Sequence, residues 1–336
     1  MIDPQIPFID LHRHLDGSIR LETILDLGRK HNLRLPAREV DSLRPHVQVT
    51  EPQPGVMAFI AKFQWMVGVL VDYQACYRVA YENVVDAQGE GLDYVELRFS
   101  PWFMAEPHGL DASGVIEAVV DGVQAACMDT GMKANLIGIL SRTYGPQIAW
   151  RELEALLRYR EQFVALDLAG DEANFPGELF SDHFRKGREA GWQITVHAGE
   201  SLGPESVWQA IRDLGAVRIG HAVHAPDDDR LLDYMVENRI GIEANLTSNV
   251  QTSTVADYHR HPLKQFLERG ILATINTDDP GISGIDLAHE YEIAAPAAGL
   301  GRELIDQVQR NALQVAFLST EERSALTIKK SKNHFE

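Results

Sequence analysis

The chain has 336 residues, of which 45% are hydrophobic and 24% are charged. Its 31 basic and 49 acidic residues give a formal net charge of -18. This composition is typical of a globular protein and excludes collagen-like, disordered and disulfide-rich classes. The net charge opposes binding to a phosphate backbone, so we expect no nucleic-acid partner. At roughly 150 residues per domain the length allows about two domains, although a single α/β barrel also reaches this length.

The sequence lacks the usual signals for export and membrane insertion. The first ten residues contain no basic segment followed by an apolar one, and no stretch approaches the ~18 uncharged apolar residues of a membrane span. We therefore expect no membrane partner. Cys76 and Cys127 are too few for a disulfide framework and suit a reducing cytoplasm, where we expect the protein to act. Any metal must be held by histidines and carboxylates, because two cysteines cannot form a thiolate zinc site alone.

Short β-branched apolar runs alternate along the chain with stretches of helical periodicity. The eight predicted strands are Phe8–His12, Tyr94–Phe99, Ala134–Leu140, Val164–Ala169, Gln193–His197, Val217–His221, Ile240–Leu246 and Ile271–Asn276. The predicted helices between them include Gly114–Met128, Ala149–Arg160, Pro204–Leu214 and Asp227–Glu237. Strands that alternate with helices form right-handed βαβ units, and eight units suit a closed barrel. The sequence therefore predicts the α/β class and a single (β/α)8 TIM barrel over residues 1–336, with extra helices such as Val56–Val71 after strand one.

Ionisable side chains follow four of the predicted strands, each directly after an apolar run. His12 and His14 lie at the end of strand one, where the alternation of a strand places both imidazoles on one face. In a barrel of this kind the chemistry lies at the carboxyl ends of the strands, so we expect these side chains to share one site. They are His12, His14, His197, Glu200, His221, Asp278 and Asp279.

Each of these positions also has an ordinary structural explanation. A single histidine after a strand caps a helix or packs in the core more often than it binds a metal. Two acids before Pro280 and Gly281 usually cap a turn or a helix. The joint occurrence at one rim of one barrel is what favours a functional site.

Three imidazoles and one carboxylate are ligands that suit a divalent ion such as Zn²⁺. A catalytic zinc site leaves one position for water, and a further histidine and glutamate nearby can transfer protons. The ligand role fits His12, His14, His197 and Asp278, and the acid–base role fits Glu200 and His221. The residues alone indicate a metal-dependent hydrolytic enzyme and leave its substrate open.

Four stretches of the sequence form a recognisable set. They are Leu11–Gly17, Asp167–Glu172, Thr195–Glu200 and Asn276–Pro280. This set resembles the adenosine deaminase family, and its bacterial members in particular. The similarity extends through nearly the whole chain and includes residues 94–101 and 247–249. The resemblance implies a (β/α)8 metal-dependent hydrolase that converts adenosine, and 2′-deoxyadenosine, to inosine and ammonia.

The resemblance also implies a role for each site residue. His12, His14, His197 and Asp278 would bind one zinc ion per chain. Glu200 would protonate N1 of the purine so that C6 becomes electrophilic. His221 would orient the attacking water and accept its proton.

The implied substrate contacts come from His14, Asp16, Gly170, Asp279, Phe59 and Phe63. Asp279 would contact N7, the backbone N–H of Gly170 would contact N3, and Asp16 would bind the ribose. The two phenylalanines correspond to an apolar gate helix in the family. They are four residues apart on an amphipathic helix, so ordinary core packing explains them about as well.

The chemistry predicts the protonation state of three carboxyl groups. Glu200 can act as an acid at neutral pH only if burial raises its pKa. N7 is a hydrogen-bond acceptor, so Asp279 must carry a proton to bind it. Asp278 is expected to be ionised because it faces the metal and His221.

Two rival enzymes and one non-enzyme remain open. A deaminase of adenine or another adenine derivative tends to carry Glu where this chain has Asp16, which favours a nucleoside. A two-metal hydrolase of another ester or amide needs a bridging lysine on strand four, and Val164–Leu168 contains none. A barrel without catalysis would lack a ligand or an acid–base residue, and none is missing. The resemblance also places Asp16 where a 5′-phosphate would bind, so we expect the partner to be a small neutral nucleoside. We expect the protein to be a monomer or a weak homo-oligomer.

Four further positions carry specific expectations. The family usually has Gly where this chain has Ala222, whose methyl group is expected to tighten the pocket. Asn245 places an amide where bacterial members usually have Cys. Glu96 and Arg98 share one face of strand two and are expected to form an ion pair inside the barrel.

Overall fold

Eight parallel strands form the centre of the protein. The structure is a computed structural model that describes residues 2–333 and the side chains of residues 2–331. The strands β1 to β8 are Ile9–His14, Tyr94–Phe99, Lys133–Ser141, Phe163–Ala169, Gln193–Ala198, Arg218–His221, Gly241–Ala244 and Leu272–Ile275. Each strand pairs in parallel with the next one along the chain. All eight predicted strands are confirmed, with ends that differ by at most two residues.

The residues after β8 bring the sheet back to β1. The N–H of Asp278 donates to the carbonyl of His12 at 2.8 Å, and the N–H of His14 donates to the carbonyl of Asp278 at 2.7 Å. Arg13 and Asp278 form a parallel bridge. The sheet is therefore a nearly closed barrel, and the predicted (β/α)8 fold is confirmed.

Helices surround this barrel. The α-helices are Leu21–Lys30, Val40–Val47, Val56–Ile60, Gln64–Val67, Tyr73–Gly89, Pro101–Ala105, Ala112–Thr130, Pro146–Arg158, Ser181–Glu189, Pro204–Gln209, Asp229–Glu237, Leu246–Gln251, Leu263–Glu268, Pro280–Ser283, Leu287–His289, Ala295–Ala297, Arg302–Val315 and Thr320–Asn333. Two π-helical segments are Ala210–Leu214 and Glu290–Ala294. No helix within residues 2–333 has the length and apolar character that crossing a membrane requires.

The connection after β1 contains five α-helices, as predicted. Its predicted helix Val56–Val71 is broken into Val56–Ile60, the 3-10 segment Ala61–Phe63 and Gln64–Val67. This connection passes over the carboxyl ends of the strands, because Phe59 lies beside the site described below.

The two faces of β2 show how the barrel is filled. Val95, Leu97 and Phe99 belong to the large hydrophobic core. Glu96 and Arg98 alternate with them and belong to the buried charged residues of the interior. Parallel strands in such a barrel are covered on both faces, so even these charged side chains are removed from water.

The expected ion pair between Glu96 and Arg98 is wrong, although the shared face is correct. Arg98 donates instead to Asp167 and Glu243, each at 2.8 Å. Glu96 lies 2.5 Å from Arg218, which also donates to Glu243 at 2.6 Å. Two side chains that point the same way from one strand reach across the barrel, so their partners come from β4, β6 and β7. These five residues are called the interior network below.

Candidate active site

The four predicted metal ligands meet at the carboxyl ends of β1, β5 and β8. The Oδ1 atom of Asp278 lies 3.1 Å from Nε2 of His12 and 3.3 Å from Nε2 of His14. The Nε2 atom of His14 lies 3.2 Å from Nε2 of His197. All four residues are buried. The strands thus converge their imidazoles and one carboxylate on a common point.

The donor atoms fit a metal ion. The Nε2 atom of His12 is buried without a hydrogen-bond partner, which is costly unless a ligand completes it. His14 forms one group with Asp278 and Asp279. A second group, with one ligand atom from each residue within 4.8 Å of the others, consists of His12, His197, His221 and Asp278. Nitrogen and carboxylate donors of this kind suit a divalent ion, so the residues are able to hold one. His12, His14, His197, His221 and Asp278 are called the metal cluster below.

Two acids of the interior network orient the histidines of the metal cluster. The Nδ1 atom of His12 lies 2.7 Å from Glu243, and Nδ1 of His197 lies 3.1 Å from Asp167. A carboxylate at Nδ1 places the proton there and leaves Nε2 free as a ligand. Burial lowers the pKa of His197 to about 3, against the opposing effect of Asp167, so its ring is neutral as a ligand must be. The sequence prediction assigned no role to Glu243 or Asp167. The available signal was a charged residue inside an apolar strand, since such residues are rarely buried without a partner.

His221 is held by a chain of hydrogen bonds from the other side. The backbone N–H of Leu263 donates to Nδ1 of His261 at 3.1 Å, so the neutral ring of His261 carries its proton on Nε2. That nitrogen lies 3.2 Å from Oδ1 of Asn249, whose Nδ2 lies 2.9 Å from Nδ1 of His221. The network thus fixes the direction of the amide. His221 accepts at Nδ1, and its neutral ring carries the proton on Nε2, which lies 3.9 Å from Oδ2 of Asp278.

Glu200 follows β5 and is the buried carboxyl group next to the metal cluster. Its Oε1 lies 3.7 Å from Nδ1 of His221. Burial, together with the charges of Asp278 and Glu172, raises the pKa of Glu200 to about 8. This direction agrees with the sequence prediction of a carboxyl group that is protonated at neutral pH.

Asp279 occupies a similar environment. Burial, with the neighbouring charge of Asp278, raises the pKa of Asp279 well above its usual range. Its Oδ1 atom is buried without a hydrogen-bond partner. The close approach of this oxygen explains Gly17, because a Cβ atom there would lie only 1.8 Å from it. The direction of the shift agrees with the prediction that Asp279 carries a proton.

A cavity of about 220 Å³ opens onto these groups. All six predicted substrate contacts line it, together with Glu200, His197, His221 and Asp278. Gly170 has a φ of 110°, which favours glycine at this point of the wall. Phe63 packs edge-on against Phe59 at 6.3 Å and against Phe103 at 5.6 Å. The two predicted phenylalanines therefore serve both the core and the cavity wall. No lysine or arginine is found among the described residues of this lining.

The two departures from the family pattern lie around His221. His221, Ala222 and Asp278 have positive φ values of 66°, 54° and 61°, which strain residues other than glycine. Ala222 is buried but does not line the cavity, so the expected tightening of the pocket is wrong. The methyl group of Ala222 instead makes the positive φ of this residue less favourable than it would be for glycine. The Nδ2 atom of Asn245 lies 3.3 Å from Nδ1 of His221. Asn245 thus contacts the ring that Asn249 orients.

Sequence comparison places the chain among known proteins. A family model described as adenosine deaminase matches residues 7–331. An adenosine deaminase of Klebsiella pneumoniae is 61% identical over 326 residues, which cover 97% of this chain and 98% of that protein. The chain belongs to the adenosine deaminase family. An adenosine deaminase of Escherichia coli is 59% identical over 326 residues, with the same coverage of both chains.

Solved structures share the fold of this family member. The adenine deaminase of Arthrobacter aurescens superimposes with a TM-score of 0.90 at 20% identity, over 98% of this chain and all of the other. An amidohydrolase of Burkholderia ambifaria with bound Zn gives a TM-score of 0.87 at 23% identity, over 98% of this chain and 91% of the other. At these identities the likeness shows the barrel fold alone.

Proposed function

We propose that the protein catalyses the hydrolytic deamination of adenosine, and of 2′-deoxyadenosine, to inosine and ammonia. The observation that carries this proposal is the placement of the buried carboxyl group of Glu200, whose pKa burial raises to about 8, beside the metal cluster in a cavity of about 220 Å³. The names of relatives about 60% identical over nearly the full chain support the same reaction.

We assign one zinc ion per chain to His12, His14, His197 and Asp278. When bound, the ion supplies an activated water as the nucleophile, since it lowers the pKa of that water to about 7. Oδ1 of Asp278 faces the two histidines of β1, and Oδ2 faces His221. One oxygen of Asp278 could thus bind the ion while the other accepts a proton from the water.

Glu200 donates its proton to N1 of the purine. The aromatic C6 atom is a poor electrophile until N1 is protonated, so a general acid beside the ring is required. Burial keeps the carboxyl group of Glu200 protonated until the substrate arrives.

His221 orients the attacking water. Because Asn249 donates to Nδ1, the ring donates a hydrogen bond from Nε2 towards the water oxygen rather than accepting a proton there. One proton of the water goes to Oδ2 of Asp278, which faces His221. That proton then passes to the departing amino group, which leaves as ammonia, and the second proton of the water returns to Glu200 as the C6=O bond forms. The orienting part of the role expected for His221 is thus retained, and the proton acceptor is reassigned.

The remaining contacts select the substrate. A protonated Asp279 donates to N7, the N–H of Gly170 donates to N3, and Asp16 binds the ribose. Phe59 and Phe63 cover the purine. A cavity lined by Asp16 without lysine or arginine among its described residues disfavours a 5′-phosphate, so the nucleoside is preferred to its monophosphate.

The chain alone supplies every residue of this site, so we propose that residues 1–336 act as one domain in a monomer or weak homo-oligomer. Cys76 and Cys127 are both free thiols. Unpaired cysteines suit a reducing compartment, and we propose the cytoplasm.

The experiment is an ultraviolet assay of the purified, zinc-loaded protein with adenosine, adenine and adenosine monophosphate. We expect the absorbance to shift to that of inosine, with adenosine turned over best. We expect Glu200→Gln to keep its zinc and lose about 10²–10⁴-fold in kcat. A clear preference for adenine, or near-normal turnover by Glu200→Gln, would contradict the proposal.

A further inference from the structure

Glu172 ends the stretch Asp167–Glu172 and has no part in the reaction proposed above. Its side chain is buried, with 4% of the residue exposed. Oε1 accepts a hydrogen bond from the N–H of Gly199 at 2.7 Å, and also contacts the hydroxyl of Ser206. Oε2 accepts from the N–H groups of Ser201 at 2.7 Å and Leu202 at 3.1 Å. One carboxylate therefore receives three hydrogen bonds from one loop and a fourth from the helix that follows it.

This loop carries Glu200. Gly199 and Ser201 are its immediate neighbours in the chain, so Glu172 holds the backbone on both sides of the proposed acid. Residues 199–203 belong to neither a helix nor a strand, and they connect β5 to the helix that begins at Pro204. Hydrogen bonds from backbone N–H groups to an ionised carboxylate are about twice as strong as neutral ones. The side chain of Glu172 thus accepts the hydrogen bonds that a neighbouring strand would otherwise accept from this backbone.

We propose that Glu172 is a positioning residue for Glu200, which fixes the loop 199–202 so that the carboxyl group of Glu200 points into the cavity. The proposal rests on the proposed role of Glu200 as the acid. Glu172 belongs neither to the cavity lining nor to the metal cluster, so we expect it to act through Glu200.

The charge of Glu172 has a second effect on Glu200. It stands among the groups that raise the pKa of Glu200, after burial and Asp278. The other titratable or charged groups that face Glu200 are His12 and His14 from β1, Arg142 after β3, His221 from β6, and Asp278 and Asp279 after β8.

The decisive variant is Glu172→Gln in the full-length, zinc-loaded protein, with Asp171→Asn as its matched control. The glutamine keeps the size of the side chain but presents an NH₂ group to backbone N–H donors, so the loop loses part of its support. Asp171 carries the same charge one residue earlier, and its carboxylate bonds to Asn174 rather than to the loop.

For Glu172→Gln we expect kcat to fall by about 10- to 100-fold, with a smaller change in KM, since a small misplacement of a reacting group has this effect. A residue that only stabilised the fold would lower the melting temperature and leave kcat of the folded enzyme unchanged. Asp171→Asn should match the wild type in both kcat and KM. A folded Glu172→Gln variant with wild-type kcat would overturn the proposal.

Amide hydrogen exchange tests the loop without any turnover. The N–H groups of Gly199, Ser201 and Leu202 should be protected in the wild type and exchange faster in Glu172→Gln, with the melting temperature recorded to show that the variant is folded. Equal protection in both proteins would overturn the proposal. If the wild type does not deaminate adenosine, the proposed function fails on its own, and the exchange experiment still decides whether Glu172 holds the loop.

Discussion

The interior network and the metal cluster are neighbouring groups of buried charge, and they differ in how their hydrogen-bond acceptor atoms are partnered. In the interior network each carboxylate meets a guanidinium group, as between Glu96 and Arg218 at 2.5 Å. Around the metal cluster, by contrast, Nε2 of His12 and Oδ1 of Asp279 are buried without a hydrogen-bond partner. Two buried polar groups of this kind are costly in a finished core and useful where a ligand will complete them.

The contrast extends to protonation. Arg98 and Arg218 hold the pKa of Glu243 well below its usual range even though burial raises it. At the carboxyl ends of the strands no arginine among the described residues forms an ion pair with Glu200 or Asp279, and burial raises the pKa of both. The barrel thus lowers the pKa of Glu243, which orients a histidine, and raises the pKa of Glu200 and of Asp279 beside the cavity.

His12 joins the two regions, so its removal should have the largest effect. We expect His12→Ala to lose its metal, because the remaining donors must bind the ion with one imidazole fewer. The measurement is metal content after dialysis. His183→Ala is the matched control, since His183 is also buried but bonds to the carbonyl of Pro146 outside the metal cluster. A full equivalent of metal in His12→Ala would remove it from the ligand set.

Glu243→Gln tests whether Glu243 orients a metal-binding histidine as well as stabilising the barrel. Glu243 bonds both to His12 and to two arginines, so we expect the affinity for metal to fall by about 10- to 100-fold. We also expect a loss of about 3–5 kcal/mol in the free energy of unfolding, because a buried ion pair is broken. Glu96→Gln is the control, since Glu96 pairs with Arg218 but with no histidine. It should lose stability and keep its metal affinity, and equal affinity losses in both variants would contradict the distinction.

A third carboxyl group near the carboxyl end of β7 should reveal its protonation through stability. Glu290 accepts from the N–H groups of Leu246 and Thr247, and burial raises its pKa to about 8. The folded state therefore favours the protonated form, so this contribution is fully present below the ordinary pKa of about 4.3 and is lost as the pH rises through about 8. Glu290→Gln carries no such charge. Denaturation curves should show the variant gaining stability relative to the wild type from about pH 5 to pH 9, whereas a constant difference would contradict the assignment.

The smallest effect is expected at the strained backbone beside His221. Ala222 has a φ of 54°, where glycine carries no penalty. We expect Ala222→Gly to stabilise the protein by about 1 kcal/mol, as measured by chemical denaturation, with turnover unchanged. Ala225→Gly is a suitable control, because Ala225 is also buried but has no positive φ, and it should lose stability. A destabilised Ala222→Gly variant would show that the methyl group packs usefully.

The strands and the metal cluster could be predicted because each depends on local pattern. Apolar runs mark buried parallel strands, and polar residues directly after them must fall at one rim. The end of β7 shows the limit of this reasoning. The prediction continued the strand to Leu246, yet Leu246 begins a helix, because a distant carboxylate, Glu290, binds its N–H group.

The interior network could not be predicted for a related reason. The partners of Arg98 lie 69 and 145 residues away, and no local pattern connects them. The roles of Glu172 and Asn249 were missed likewise, since each acts on a residue of another loop. Sequence reasoning identified residues that the structure brings together around the cavity, and the structure was needed to find the residues that contact them from other elements.

Metal titration of the apoprotein with adenosine as substrate tests the central claim most directly. The protein is stripped with a chelator, zinc is added in measured steps, and the rate of inosine formation is followed at each step. One metal site per chain predicts a rate that rises in proportion to zinc and levels off at one equivalent. Turnover without metal, or a rate that saturates only at two equivalents, would contradict the account.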